Sequence, residues 1–193
     1  MKLVLASGSP RRKALLQQLG LAFDVLPSDV DESRHPHESP ADYVERLAVE
    51  KATAVAAENQ IVIAADTIVV HEGKILGKPA HPEEARGMLR RLQGADHDVF
   101  TGLAVAGWDG GPTMHRLTDV TEVRLIPMTD DEIADYVDTG EPMDKAGAYA
   151  LQGMGGRFVE SVRGSSYTVI GLPIHRIAGL LTHAGTDIRE FLV

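Results

Sequence analysis

Met1-Lys-Leu-Val-Leu-Ala-Ser-Gly-Ser-Pro-Arg-Arg-Lys-Ala-Leu-Leu-Gln-Gln-Leu-Gly20 opens the chain. Leu3, Val4 and Leu5 form a short apolar run of strand type, which Ser7-Gly8-Ser9-Pro10 breaks. Ala14, Leu15, Leu16 and Leu19 then recur at helical spacing up to Gly20. A strand therefore feeds through a small-residue turn into a helix opened by Pro10, with Arg11 and Arg12 in its first turn. Those arginines have the wrong sign for that position. A helix N-terminus carries partial positive charge, and a cation placed on it loses roughly 0.3–1 kcal/mol. The arrangement is accounted for if an anion sits at the turn, held by backbone N–H groups, Ser hydroxyls and guanidinium forks. The plain alternative is a pair of solvated arginines at a helix start.

The rest of the chain continues the alternation. Phe23-Asp-Val-Leu-Pro27 reads as a second strand, followed by a polar loop from Ser28 to Glu38. Ser39-Pro40-Ala41-Asp42 is a helix start with a capping Ser and Pro at the first helical position, and the helix is expected to run to about Asn59. Ile61-Val-Ile-Ala-Ala-Asp-Thr-Ile-Val-Val70 is the nearly continuous apolar run of a strand buried on both faces. His71–Lys74 turns into a short strand at Ile75-Leu76, and Pro82 opens a helix ending at Gly94. Val99 to Ile126 reads as two strands joined by a Trp108-Asp-Gly-Gly111 turn. Thr129-Asp-Asp-Glu132 is a capping box whose helix closes on Gly140. Glycine-rich connections, a strand near Val159–Val162 and a helix from about Pro173 to His183 complete the chain. Strands alternating with helices around an antiparallel hairpin predict an α/β fold with a mixed sheet. No linker is visible, so residues 1–193 are expected to form a single domain.

Composition narrows the function. The chain has 193 residues, 44% hydrophobic and 24% charged, with net charge −9, which argues against sequence-independent binding to DNA or RNA across a wide basic surface. One small basic pocket for a single polyphosphate stays compatible with it. With no cysteine, disulfides, thiolate nucleophiles and Cys-ligated zinc are ruled out. The N-terminus lacks a signal-peptide h-region and no apolar run approaches the ~20 residues that span a bilayer, so a cytoplasmic location away from membranes is expected. The histidines show no HxxxH or HExxH spacing, and neither a Walker loop nor a GxSxG elbow occurs.

Several polar residues stand in apolar places. Asp66 interrupts the apolar run 61–70, and a buried, unpaired carboxylate costs several kcal/mol or stays protonated. It marks a cleft at a strand end, a metal ligand or a base, unless it is a structural Asp bonded to nearby backbone. Lys51 shares a helical stripe with Val44, Leu47, Ala48, Ala54 and Val55. Its ammonium either snorkels to water or points at a phosphate. Lys78 sits in the rigid Gly77-Lys-Pro79 loop, and Glu32 in Val30-Asp-Glu32 offers a second oxygen ligand for a hard cation such as Mg2+. Together, the cations Arg11, Arg12, Lys51 and Lys78 and the carboxylates Glu32 and Asp66 suit metal-assisted attack of water on a polyphosphate.

At this point the chain resembles a known family, the Maf nucleoside triphosphate pyrophosphatases. The likeness rests on Leu5-Ala-Ser-Gly-Ser-Pro-Arg-Arg12, Asp31-Glu32, Tyr43-Val-Glu-Arg-Leu-Ala48 with Lys51, Ala65-Asp-Thr67 and Gly77-Lys-Pro79. It continues through Val99-Phe-Thr-Gly102, Gly140-Glu-Pro142, Asp144-Lys-Ala-Gly-Ala-Tyr149, Gln152-Gly153 and Gly171-Leu-Pro173. The resemblance implies a mixed twisted sheet with flanking helices and two lobes around a cleft, akin to the inosine triphosphate pyrophosphatases. It also implies hydrolysis between the α- and β-phosphates with a divalent cation, Mg2+ or Mn2+, and a homodimer. On that analogy Asp66 is the proton acceptor, Arg11, Arg12, Lys51 and Lys78 hold phosphates, and Glu32 with Asp66 holds the metal. In the branch that prefers dTTP and UTP, specificity is associated with the positions that here are Arg11, Thr67 and Gln152. The segment Gly164-Ser-Ser-Tyr-Thr-Val-Ile-Gly171 departs from the family by lacking an Asn before Gly-Leu-Pro. The family is also associated with septum-formation arrest, so a nucleotide-binding regulator of cell division is the alternative reading, and a purine-directed activity a third.

Overall fold

The structure is a computed structural model and describes residues 1–108 and 111–193, the side chain of residue 108 excepted. The mixed α/β architecture is as expected. In chain order the principal elements are β1 (Lys2–Leu5), α1 (Pro10–Gln18), β2 (Asp24–Val25), α2 (Pro40–Val55), β3 (Gln60–His71), β4 (Lys74–Leu76), α3 (Pro82–Leu92), β5 (Asp96–Trp108), β6 (Pro112–Leu125), α4 (Asp130–Asp138), β7 (Val159–Arg163), α5 (Ser166–Ile170) and α6 (Ile174–His183). Among the described residues the strand order is β2-β1-β3-β5-β6-β7, with β4 pairing β3. β1 runs parallel to β2 and β3, whereas β4 and β7 pair antiparallel. No described helix is long and apolar enough to cross a membrane.

Some boundaries differ from expectation. α2 stops at Val55 rather than near Asn59, because Ala56 is extended and Asn59 takes a left-handed conformation (φ 61°) at the turn into β3. β2 keeps only Asp24–Val25 of its expected span, since Pro27 has no N–H to donate to a ladder. The glycine-rich stretch after Gly140 folds into 3-10 turns at Glu141–Asp144, Ala146–Ala148 and Met154–Phe158, and α5 was not foreseen. These pieces are too short to carry a periodic apolar stripe. The Trp108–Gly111 turn falls partly on residues 109–110, outside the described residues.

The chain divides into two compact units. The first comprises Met1–Asp66, Thr101–Asp119 and Gly171–Val193; the second comprises Thr67–Phe100 and Val120–Ile170. In the first, Ala48 and Ala52 of α2 pack on Val4, Ala6, Val62, Ala64, Ala104 and Ala106. Small side chains let the helix lie close to the sheet. At Gly102 they meet with no room to spare: a Cβ there would overlap the carbonyl of Val44 and sit 2.7 Å from Glu45 N. In the second unit α3 and α4 bury Leu89, Leu92, Ile133 and Tyr136 against Val99, Val123 and Leu125.

The second core also encloses an ionisable pair. His97, 3% exposed, meets Tyr149 Oη at 2.8 Å through Nε2, with the rings edge to face. Burial, reinforced by nearby His71 and opposed by Asp96, pushes His97 down from 6.5 to about 4.

Gly102→Ala forces the added methyl onto backbone rather than a flexible side chain, so it lowers stability by about 2–3 kcal/mol, read as the urea midpoint at unchanged m-value. A loss within about 0.5 kcal/mol would contradict the close approach. His97 is held neutral in the fold, so its contribution is complete above pH 6.5 and is lost progressively as pH falls toward 4. That amounts to roughly 3 kcal/mol over the window, and His97→Gln should flatten the difference between stabilities measured at its two ends.

Candidate active site

The small-residue turn after β1 places its side chains by hydrogen bonding. Ser9 caps α1 by accepting from Arg12 N, and Ser7 Oγ accepts from Ser9 N at 3.2 Å. Arg12 folds back over this turn, donating Nη1 to Ser7 Oγ (3.2 Å) and Nε to the Gly171 carbonyl (2.7 Å). Arg12 is thus half-buried and bonded rather than a solvated helix-start residue. Burial pushes the Arg12 guanidinium below its ordinary value, while Asp66 and Glu32 pull it back up and Arg11 adds to the lowering.

α2 delivers the next group. Its apolar face buries Val44, Leu47, Ala48 and Ala52, and Lys51 lies on that face at 8% exposure. The ammonium does not snorkel to water. It reaches Asp66 Oδ1 at 2.7 Å and Glu32 Oε1 at 2.6 Å. Asp66 is 9% exposed, so the carboxylate that interrupts β3 is neutralised by a lysine fifteen residues earlier and not by local backbone. Glu32, by contrast, keeps half its side chain in solvent.

Glu32 lies in a polar loop, and α2 supplies what holds it. Tyr43 Oη donates to the Glu32 carbonyl (2.6 Å), and Arg46 Nη2 donates to the Ser33 carbonyl (3.0 Å). Arg46 also forks onto both oxygens of Glu38, Nε to Oε1 at 2.6 Å and Nη2 to Oε2 at 3.0 Å, and bonds Glu50 through Nη1. The hydrogen bond to Glu38 is the main cause of a raised Arg46 pKa, and the same bond holds Glu38 below the ordinary carboxylate range. Burial first, then the charges of Asp66 and Glu32, raise Tyr43. Tyr43 and Arg46 were visible in the sequence only as members of a motif block, whereas the Ser7 hydroxyl was expected to hold an anion and here accepts from Arg12. The Arg46–Glu50 spacing of four signals a helical ion pair, but nothing local points to Glu38 or Ser33.

The structure therefore gathers Arg12, Lys51, Glu32 and Asp66 in the first unit, with Arg11 half-buried beside Arg12 in α1. Thr67, Lys78 and Gln152 belong to the second. Thr67 follows Asp66 along β3 and is half-buried. Lys78 is exposed, in a loop tied down where Gly147 N donates to the Gly77 carbonyl (3.1 Å). Gln152 is exposed in the segment leading to the Met154–Phe158 turn.

The donors of Glu32 and Asp66 are hard carboxylate oxygens converging on one cation, Lys51, and so fit a divalent ion such as Mg2+. Among the described residues no group of three or more His, Asp or Glu side chains is set to hold a metal. A small hard cation bound by one or two carboxylates completes its shell with water and phosphate oxygens, which is the usual habit of Mg2+ at phosphate sites.

The chain is similar to known proteins over nearly its whole length. The family model described as Maf-like protein matches residues 2–184. A dTTP/UTP pyrophosphatase of Anaeromyxobacter dehalogenans is 54% identical over 185 residues, 95% of this chain and 94% of that protein. Proteins of the same description from Desulforamulus reducens and Bacillus cereus are 50% and 46% identical, each over 98% of its own length and over 96% and 98% of this chain. Among solved structures, a HAM1 protein from Coxiella burnetii superposes with a TM-score of 0.51 over 98% of this chain and 95% of that one. At 16% identity this likeness speaks to the fold alone. With a family model spanning nearly the whole chain and relatives about half identical to it, the protein belongs to the Maf family.

Proposed function

We propose that this protein is a nucleoside triphosphate pyrophosphatase that hydrolyses dTTP and UTP between the α- and β-phosphates, giving the monophosphate and pyrophosphate. The observation that carries the reading is the buried Lys51 ammonium, within 2.7 Å of both Asp66 and Glu32, the two carboxylates that also interact with the Arg12 charge. The description shared by the relatives, dTTP/UTP pyrophosphatase, supports the substrate class.

In this reading Arg11, Arg12, Lys51 and Lys78 hold the polyphosphate oxygens and neutralise charge that builds up on the departing pyrophosphate. Asp66 takes the proton of the attacking water. The new P–O bond forms as the bridging P–O bond breaks, and its electron pair leaves with the pyrophosphate. Glu32 and Asp66 would hold Mg2+ or Mn2+, which when bound supplies charge neutralisation at the phosphates. Tyr43 and Arg46 keep the Glu32 loop against Lys51, so that the carboxylate does not have to be ordered at each turnover. Arg11, Thr67 and Gln152 select the base. We further infer that residues 1–193 work as one domain, since β3, β5 and β6 each run through both units. A homodimer in the cytoplasm completes the proposal.

The test is a panel of dTTP, UTP, dCTP, GTP and ITP with Mg2+ or Mn2+ and identification of products. Pyrophosphate release is expected fastest from dTTP and UTP, and Asp66→Asn should lower kcat by about 10²-fold or more. Nucleotide binding without turnover, or an undiminished rate in Asp66→Asn, would refute the reading. A second expectation separates stability from chemistry. Lys51→Met strands Asp66 without its counter-charge and should lower stability by about 3 kcal/mol. Adding Asp66→Asn should restore most of that stability in urea melts while leaving the double variant inactive. Recovery of activity in the double variant would contradict the assigned roles.

A further inference from the structure

In the second unit the Gly140-Glu-Pro142 and Gln152-Gly153 blocks meet around one pair of side chains. Tyr136, fully buried on α4, donates its hydroxyl to Glu141 Oε2 at 2.7 Å and accepts from Ala150 N at 3.1 Å. Glu141 accepts in addition from Met154 N on Oε1 and from Gly155 N on Oε2, both at 2.9 Å. Glu141 is itself anchored, its N–H donating to Thr139 Oγ1 (3.2 Å) and its carbonyl accepting from Lys145 Nζ (3.0 Å).

The segment after Ala150 is shaped to lie on this pair. Gly153 has φ 118°, and a Cβ there would overlap Glu141 Oε1. A Cβ on Gly155 would overlap the Tyr136 hydroxyl. Gln152 is therefore suspended between an amide held by Tyr136 and two amides held by Glu141, with its own side chain in solvent. Every partner of the Glu141 carboxylate is a donor, a set that a carboxylate satisfies and an amide does not. Burial pushes Glu141 up, but the hydrogen bonds from Tyr136, Met154 and Gly155 outweigh it and hold the group below its ordinary value, as the anion.

We propose that Glu141 is a positioning residue for base selection: it holds the backbone on either side of Gly153 so that the Gln152 amide meets the edge of the nucleobase in one orientation. The inference rests on the reading of Gln152 as a base-selecting residue. Uracil and thymine present an N–H flanked by two carbonyls, and a carboxamide complements that edge with one acceptor and one donor. Such a pair discriminates only if its backbone is fixed, because a shift of about 1 Å breaks one of the two bonds.

The experiment is steady-state kinetics on the full-length protein with dTTP and with dCTP, whose cytosine offers a ring-nitrogen acceptor and an amino donor in place of the N–H and carbonyl, for Glu141→Gln, Gln152→Ala and the double variant, with hydrogen exchange followed across residues 150–156. Glu141→Gln should lower the dTTP:dCTP ratio of kcat/KM by about 10-fold, more through KM for dTTP than through kcat, with faster exchange at Met154 and Gly155. The double variant should fall no further than Gln152→Ala alone. If Gln152→Ala lowers the ratio and Glu141→Gln does not, or Glu141→Gln slows both substrates equally, the positioning role is overturned and the reading of Gln152 stands. If Gln152→Ala leaves the ratio unchanged, that reading fails and the proposal with it. Should Glu141→Gln not fold, Tyr136→Phe keeps the ring, removes one donor to Glu141 and carries the same comparison.

Discussion

An ammonium held inside an apolar face needs counter-charge, and in this protein Lys51 finds it in Asp66 and Glu32. Each of these groups would be costly to bury alone, since an unpaired ion in a low-dielectric interior loses several kcal/mol of hydration. Together one ammonium and two carboxylates still carry one formal negative charge; Arg12, which interacts with both carboxylates, balances it, and Arg11 beside Arg12 leaves the cluster one charge positive. A chain of net charge −9 can therefore present a small cationic pocket without a basic surface. That distinction separates recognition of one polyphosphate from binding along a nucleic-acid backbone.

α2 ties this site to the fold. One face of the helix packs on the sheet through alanines and against Gly102, and carries Lys51 inward. The neighbouring face carries Tyr43 and Arg46 to the loop that holds Glu32. Core packing and loop placement are thus properties of the same rigid element, and sites built on such elements are more exact than sites left to loops. Arg46 suits the task because its planar fork binds Glu38 at two points while a further N–H reaches the Ser33 carbonyl; a lysine has no equivalent geometry.

In the second unit Tyr136 and Glu141 play the corresponding part for the segment that carries Gln152. Both arrangements use a buried or half-buried side chain to satisfy backbone groups of an irregular segment, the ordinary way to order a loop without giving it regular secondary structure. Glycine at positions 153 and 155 is then a steric requirement of close approach, not a sign of looseness.

The element order was legible in the sequence because it is written in local patterns. Leu3–Leu5, Ser9-Pro10, Ser39-Pro40 and the run 61–70 each record which face an element buries or where its backbone begins. The anomalous polar residues Arg12, Lys51 and Asp66 were legible for the same reason, as breaks in those patterns; Glu32 and Lys78 were read from an acidic and a rigid loop, and the family blocks added Thr67 and Gln152. Neither source identified partners. Whether Lys51 snorkels or pairs depends on Asp66, brought beside it by the packing of α2 on β3. Arg12 meets Gly171 across 159 positions of chain, and Glu141 meets Met154 through a turn with no periodic stripe. The sequence by itself determined the order of the strands and of the helices other than α5, and the residues out of place in them, since burial leaves a local period of two or 3.6. Only the tertiary structure decided which of those residues neutralise, anchor or orient one another, because such contacts arise where distant segments pack and leave no periodic trace in either one.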